Sequence, residues 1–238
     1  MAEPRAGGPD LNPGRAPRPS WDEYSDRWAA LHLGLDPRRA SLFVRTWLRL
    51  GYGAGRMCAM AGLSAMAVTT VGIVLSLGVP VLALGGGLWL LAAAGLVVLG
   101  AIADSADGAT AVITSRTTRL GALYDSVADR ISELAWLLAL WLAGVPGILA
   151  AVCGALSFLH EYVRARATAV GLPVDRVITV AERPTRVLVT VIALTVGGVV
   201  ALFNSRLAAG ATTIVVAFWV LFGALGTARL LAAVRPGG

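Results

Sequence analysis

The feature that most constrains this chain is the absence of charge over long stretches. Residues 57 to 103, 47 in a row, contain no Asp, Glu, Lys or Arg. Leu134 to Leu159, Val187 to Ser205 and Leu207 to Ala228 are charge-free as well. Crossing the hydrocarbon core of a bilayer takes about 20 apolar residues at 1.5 Å rise each. The first stretch is long enough for two helices, with break signals at Gly78-Val79-Pro80 and Gly85-Gly86-Gly87. Leu134 to Leu159 is divided by Gly144-Val145-Pro146-Gly147. Each half reaches full length by borrowing neighbours, one back through Asp125 and Asp129 and one forward to about Ala167. The expectation is an all-α polytopic membrane protein with six transmembrane helices, roughly 62–84, 88–112, 121–143, 147–168, 184–204 and 209–232. Composition agrees. Only 14% of the 238 residues are charged, against about 25% in an average soluble domain, too few to build a water-facing surface. Cys58 and Cys153 are too few for a disulfide scaffold and read as small apolar fillers.

The basic residues set an orientation. All 20 are Arg. Arg38, Arg39, Arg45, Arg49 and Arg56 precede the first span, and Arg116 and Arg119 lie between the second and third. Arg164, Arg166, Arg176, Arg183 and Arg186 lie at or between the ends of the fourth and fifth, and Arg229 and Arg235 close the chain. The opposite loops hold only Arg206. The positive-inside rule then places both termini in the cytoplasm, in a multi-pass protein of the plasma membrane, with Trp89 and Trp141 near the far interface. Residues 1–40, rich at first in Pro and Gly, are expected to form a disordered cytoplasmic segment without a signal peptide. Residues 41–56, with Phe43, Trp47 and several Arg, read as an interfacial amphipathic helix or equally as a polybasic stop. Residues 57–235 form the membrane domain.

Four acids interrupt the apolar pattern within 26 residues: Asp104, Asp107, Asp125 and Asp129. Carboxylates at membrane depth are costly and mark functional sites. Asp104 and Asp107 lie about 60° apart on one helical face, with Gly108 and Ala111 on the same side. Gly121, Asp125 and Asp129 form an i, i+4, i+8 stripe that Glu133 continues. Glu133 reads either as a contact behind this stripe or as a local partner of Arg130. Two antiparallel helices would aim the four carboxylates at one volume. Carboxylates packed this closely take up protons unless a cation is present. An all-oxygen set suits Mg2+, Mn2+ or Ca2+ rather than zinc. Four Asp suffice for two ions clamping a phosphoryl group, and nearby guanidinium groups suit phosphate oxygens. Pairing of the acids with Arg116, Arg119 and Arg130 is the plainer reading, but it does not require this helical register.

The run Asp104-x2-Asp107-Gly108-x2-Ala111-Val112, eight further residues, then Gly121-x3-Asp125-x3-Asp129 resembles the signature of the CDP-alcohol phosphatidyltransferases, D-x2-D-G-x2-A-R-x8-G-x3-D-x3-D. Every spacing is kept, and Val112 stands where the signature has Arg. Gly62 to Thr69 resembles the family's G-L-T-P-N-x-V-T start of the first helix, with Met66 in place of the polar residue. The resemblance spans roughly residues 41–232. It implies attack by an acceptor hydroxyl on the β-phosphorus of a CDP-linked alcohol, usually CDP-diacylglycerol, with release of CMP. It implies that Asp104, Asp107, Asp125 and Asp129 hold two Mg2+ or Mn2+ ions, with Asp129 also the general base. Gly108, Ala111 and Gly121 would admit the nucleotide, and Arg116 or, by preference, Arg119 would substitute for the missing signature Arg. His160 to Arg166 and Glu182 to Arg186 resemble the arginine pattern of the branch that uses polyol phosphates such as inositol phosphate or glycerol phosphate. There Arg164, Arg166, Arg183 and Arg186 would bind the acceptor phosphate, or else enforce topology alone. A homodimer is implied, and no nucleic-acid partner is expected. His160, without a second His or Cys nearby, reads as a polar interface residue rather than a metal ligand. The rival readings are the same chemistry with another acceptor or donor, a catalytically silent relative, and a cation or small-solute transporter using the Asp cluster.

Overall fold

Eight α-helices and a 3-10 turn at Pro37–Arg39 form among the residues that the computed structural model describes, 19–32, 34–172, 174, 177 and 179–234. The helices are α1 (Trp21–Leu31), α2 (Leu42–Met60), α3 (Ala65–Ala83), α4 (Leu88–Ile113), α5 (Arg119–Leu142), α6 (Gly147–Ala169), α7 (Arg183–Phe203) and α8 (Ser205–Val234). No strand occurs among the described residues. α3 to α8 occupy the six expected segments, with ends shifted by a few residues. Pro80 is accommodated inside α3, and the break before α4 falls at Gly85–Gly87, where Gly86 and Gly87 take φ of 59° and 47°. Side chains seldom adopt that region, so glycine is what permits the reversal.

Among the described residues five helices are long and apolar enough to cross a membrane: α3, α4, α6, α7 and α8. α5 is not among them, because Asp125, Asp129, Arg130 and Glu133 interrupt it. The outer surface is apolar. Val74 and Val81 of α3, Leu202 and Phe203 of α7 and Ile214 of α8 are all exposed. A contiguous surface of this kind is unfavourable in water and neutral in lipid, which marks a membrane-type helical protein. The core lies among Leu90, Val97, Trp136, Leu140, Leu194, Val216 and Trp219. Cys153 is buried in it, and neither cysteine is paired.

α4 is the central helix, packing against α2, α3 and α7. Its contact with α2 is made by small residues. A Cβ added at Gly55 would lie 2.6 Å from the Ala109 Cβ, and one at Gly51 would lie 2.9 Å from the Ser105 Cβ. This Gly-x3-Gly approach brings the two backbones together as in small-residue membrane contacts. Trp47 Nε1 donates to Ser105 Oγ at 2.9 Å, and Thr110 Oγ1 to the Gly55 carbonyl at 3.2 Å. α2 therefore grips α4 along the stretch that carries the acidic motif.

Residues 1–18, Arg176 and Arg235 lie outside the described residues. Within the segment 1–40, expected to be disordered, Trp21–Leu31 and Pro37–Arg39 are helical. α1 forms from Trp21 to Leu31 behind a capping box in which Ser20 and Glu23 exchange hydrogen bonds. Tyr24 is 2% exposed against Trp21 and Tyr52, and burial pushes its hydroxyl up to about 12. The aromatic residues supply enough buried surface to order a short helix that propensity alone would not.

Candidate active site

The acidic stretch at the end of α4 and the start of α5 converges as the spacing predicts for three of its four carboxylates. Asp104, Asp107 and Asp125 each offer an oxygen, and these atoms lie within 4.8 Å of one another. Thr69 of α3 fixes one of them, donating from Oγ1 to Asp107 Oδ2 at 2.6 Å. Asp125 Oδ1 is buried without a hydrogen-bond partner. A buried carboxylate oxygen without a donor, in an all-oxygen set, is what a hard divalent ion satisfies, so these residues fit such an ion. Asp129 stands beside this group in a different contact: the Arg183 guanidinium of α7 bridges it, at 2.6 Å, to Asp104.

Asp107 and Asp125 line a cavity of about 590 Å³, together with Thr69, Gly108, Ala111, Val112, Arg116, Thr118 and Gly121. A Cβ added at Gly108 would meet nothing within 4 Å. Its absence keeps the cavity wall as low as the backbone. Gly121 is set by the start of α5, where Thr118 caps the helix by accepting from the Gly121 N–H at 3.0 Å. The turn between α4 and α5 passes through Ser115 at φ 53° and carries Arg116 into the cavity lining, whereas Arg119 is not part of it.

The arginines of the proposed acceptor pocket are mostly engaged. Arg164 pairs with Glu182 and donates to the Val177 carbonyl at 3.1 Å. Arg186 is 3% exposed. It meets Glu133 at 2.8 Å, Glu161 at 2.7 Å and the Ala181 carbonyl at 2.8 Å. Arg166 is exposed and has no ion pair among the described residues. Glu133, fully buried, pairs locally with Arg130 at 3.1 Å and also meets Arg186. His160 is fully buried, with Nε2 at 2.9 Å from Thr179 Oγ1, and belongs to no metal-ligand group among the described residues. The Thr69 contact went unread in the sequence, although Thr69 ends the motif that opens α3. Nothing local to Arg186 announces its two carboxylate partners, which lie 53 and 25 residues away in the chain.

Comparison with known proteins agrees with this geometry. A curated relative, the archaetidylinositol phosphate synthase of Aeropyrum pernix, is 34% identical over 79 residues, which is 33% of this chain and 41% of that protein. The match therefore spans less than half of the relative's length. Among solved structures, the phosphatidylinositol phosphate synthase PgsA1 of Mycobacterium tuberculosis in complex with manganese and citrate superimposes with a TM-score of 0.64 at 26% identity, covering 79% of this chain and 90% of that one. The same protein with CDP-DAG bound gives 0.62 at 27% identity, covering 79% and 96%. The sequence model of the CDP-alcohol phosphatidyltransferases matches residues 63–231, from just before α3 into α8 and across every residue of the acidic motif. The chain belongs to the CDP-alcohol phosphatidyltransferase family.

Proposed function

We propose that this chain transfers a phosphatidyl group from CDP-diacylglycerol to a hydroxyl of a polyol phosphate, inositol phosphate or glycerol phosphate, and releases CMP. The observation that carries the reading is the convergence of Asp104, Asp107 and Asp125 beside a cavity lined by Gly108, Ala111 and Gly121. Two Mg2+ or Mn2+ ions, held by Asp104, Asp107, Asp125 and Asp129, would neutralise pyrophosphate charge and stabilise departing CMP. The chain's own groups do the rest. The low wall at Gly108 and Ala111 lets the nucleotide lie against the α4 backbone, and Arg116 faces its phosphates. Thr69 holds Asp107 in one rotamer. As the acceptor oxygen bonds to phosphorus and the bond to CMP breaks, the hydroxyl proton passes to the Asp129 carboxylate. Arg183 positions Asp129 through their ion pair. Arg166, exposed at the end of α6, is free to meet the acceptor phosphate with Arg183, while Arg164 and Arg186 brace the site through their carboxylate partners.

In this reading α5 is the sixth span, and its charges face the site. α2 lies at the interface with Phe43 exposed, both termini are cytoplasmic, the membrane is the plasma membrane, and the protein is a homodimer. Family membership favours this enzyme over a transporter. The test is CMP release by purified protein given CDP-diacylglycerol, Mg2+ or Mn2+, and a panel of inositol phosphate, glycerol phosphate, inositol and serine. Release that depends on a phosphorylated polyol is expected. Absence of any acceptor-dependent release, where a control family member works, refutes the proposal.

A further inference from the structure

The cavity has one wall that the family-matched residues do not supply. α1 precedes residue 63, where that match begins. It sits on the acidic stretch of α4: Tyr24 packs with Ala109, Val112 and Ile113, and Trp21, Trp28 and Tyr52 close over them. It is anchored at three further points. Arg27 Nη1 donates to Ser115 Oγ at 3.3 Å, tying α1 to the turn that carries Arg116. The Arg49 guanidinium lies 5.3 Å over the Trp21 ring, and Tyr52 Oη donates to the Pro19 carbonyl at 2.9 Å. The last turn of α1 then delivers Leu31, and His32 just after it, to the cavity lining.

His32 is held in one pose. Its ring stacks on Trp28 with centroids 3.8 Å apart and planes 9° apart. Its Nδ1 lies 2.8 Å from the Trp28 carbonyl oxygen. A carbonyl only accepts, so Nδ1 carries the hydrogen, and the neutral ring presents Nε2 as an acceptor. Nε2 has no partner among the described residues. Here an acceptor in a fixed position lines the same cavity as Asp107 and Asp125. Arg116 supplies the cation for phosphate oxygens, and His32 supplies what an amino-bearing base needs. We infer that α1 is a wall of the nucleotide cavity and that His32 Nε2 accepts from the exocyclic amine of the donor's base, selecting cytosine over uracil, which offers a carbonyl there. The inference rests on the nucleotide reading under Proposed function.

The test is equilibrium binding of CDP and of UDP to the full chain in detergent with Mn2+, for the wild type, His32→Ala and Trp28→Leu, with melting temperatures recorded alongside. His32 is exposed, so His32→Ala is expected to melt like the wild type. The wild type is expected to prefer CDP. His32→Ala is expected to lose about tenfold in CDP affinity, the scale of one hydrogen bond, while UDP affinity stays level. Trp28→Leu, which frees the ring without removing it, is expected to give an intermediate CDP-to-UDP ratio. A wild-type ratio in His32→Ala overturns this inference and leaves the nucleotide reading standing. Failure of the wild type to bind either nucleotide overturns both.

Discussion

Arg186→Met tests whether the charge network behind the carboxylates is structural. The guanidinium contacts two acids and a carbonyl in a space that is 3% exposed. Methionine approximates the aliphatic part of its volume and removes every polar contact. Glu133, fully buried, is then left with Arg130 alone at 3.1 Å. Stripping one partner from a buried pair costs about 3–5 kcal/mol, because the remaining charge keeps its desolvation penalty. With roughly 2–4 °C per kcal/mol in a chain of this size, the melting temperature in detergent should fall by about 6–20 °C. The double change Glu133→Leu with Arg186→Met removes the fully buried carboxylate that the single change orphans and should recover part of that loss, since an apolar replacement of a buried pair is often close to neutral, while Glu161 keeps only its longer contact with Arg130. Thermal unfolding followed by tryptophan fluorescence reads both. A single variant that melts within 2 °C of wild type, or a double variant worse than either single change, would refute the reasoning. A wild-type melt with a raised acceptor KM would instead return Arg186 to the phosphate pocket.

Asp129→Asn keeps the shape of the side chain and removes its basicity. CMP release should fall at least a hundredfold and Mn2+ binding should weaken, since Asp129 is also one of the proposed ligands, while the protein stays folded; wild-type turnover would remove Asp129 as the base. Gly55→Leu drives a side chain into Ala109 and the Ala106 carbonyl, with an expected cost of about 1–3 kcal/mol. Gly53→Ala, where an added Cβ meets nothing within 4 Å, should be tolerated in the same melt. The Arg38 side chain, then its N–H, hold the Asp36 carboxyl below the usual range. A lowered folded-state value stabilises the 37–39 turn above the unfolded-state value, and that contribution is lost as pH falls through the folded one. Protection factors for the amides of residues 36–40, corrected for the intrinsic pH dependence of exchange, should therefore fall under acid, and Asp36→Asn should remove that fall.

The helices α3, α4 and α6 to α8 were legible because charge is so costly in lipid that its absence marks a span directly. α5 was legible only by continuity, since its acids and Arg130 break the pattern. The carboxylate triad could be read because helical spacing is a rigid ruler. Whether Asp129 faced the same ion or an arginine depended on α7, whose approach no local pattern records. The arginines show the limit most clearly. Arg164, Arg166, Arg183 and Arg186 look alike in sequence, yet tertiary packing gives three of them carboxylates and leaves Arg166 exposed. α1 was missed although its Ser20-x2-Glu23 box was in view, because the proline-rich start drew the whole segment into one compositional class.

The ion pairs between α5 and α7 also bear on how such a chain enters a bilayer. α5 holds Asp125, Asp129, Arg130 and Glu133, and it alone among α3 to α8 is not apolar enough to cross by its own composition. Its counter-charges, Arg183 and Arg186, begin 50 residues beyond Glu133. Synthesis runs from the N-terminus, so α5 is complete before the groups that neutralise it exist. On the proposed six-span topology, partitioning of α5 into lipid waits for α7, and the helix bearing two of the four cluster aspartates settles only once its downstream partner arrives. Assembly of the site and completion of membrane insertion become one event.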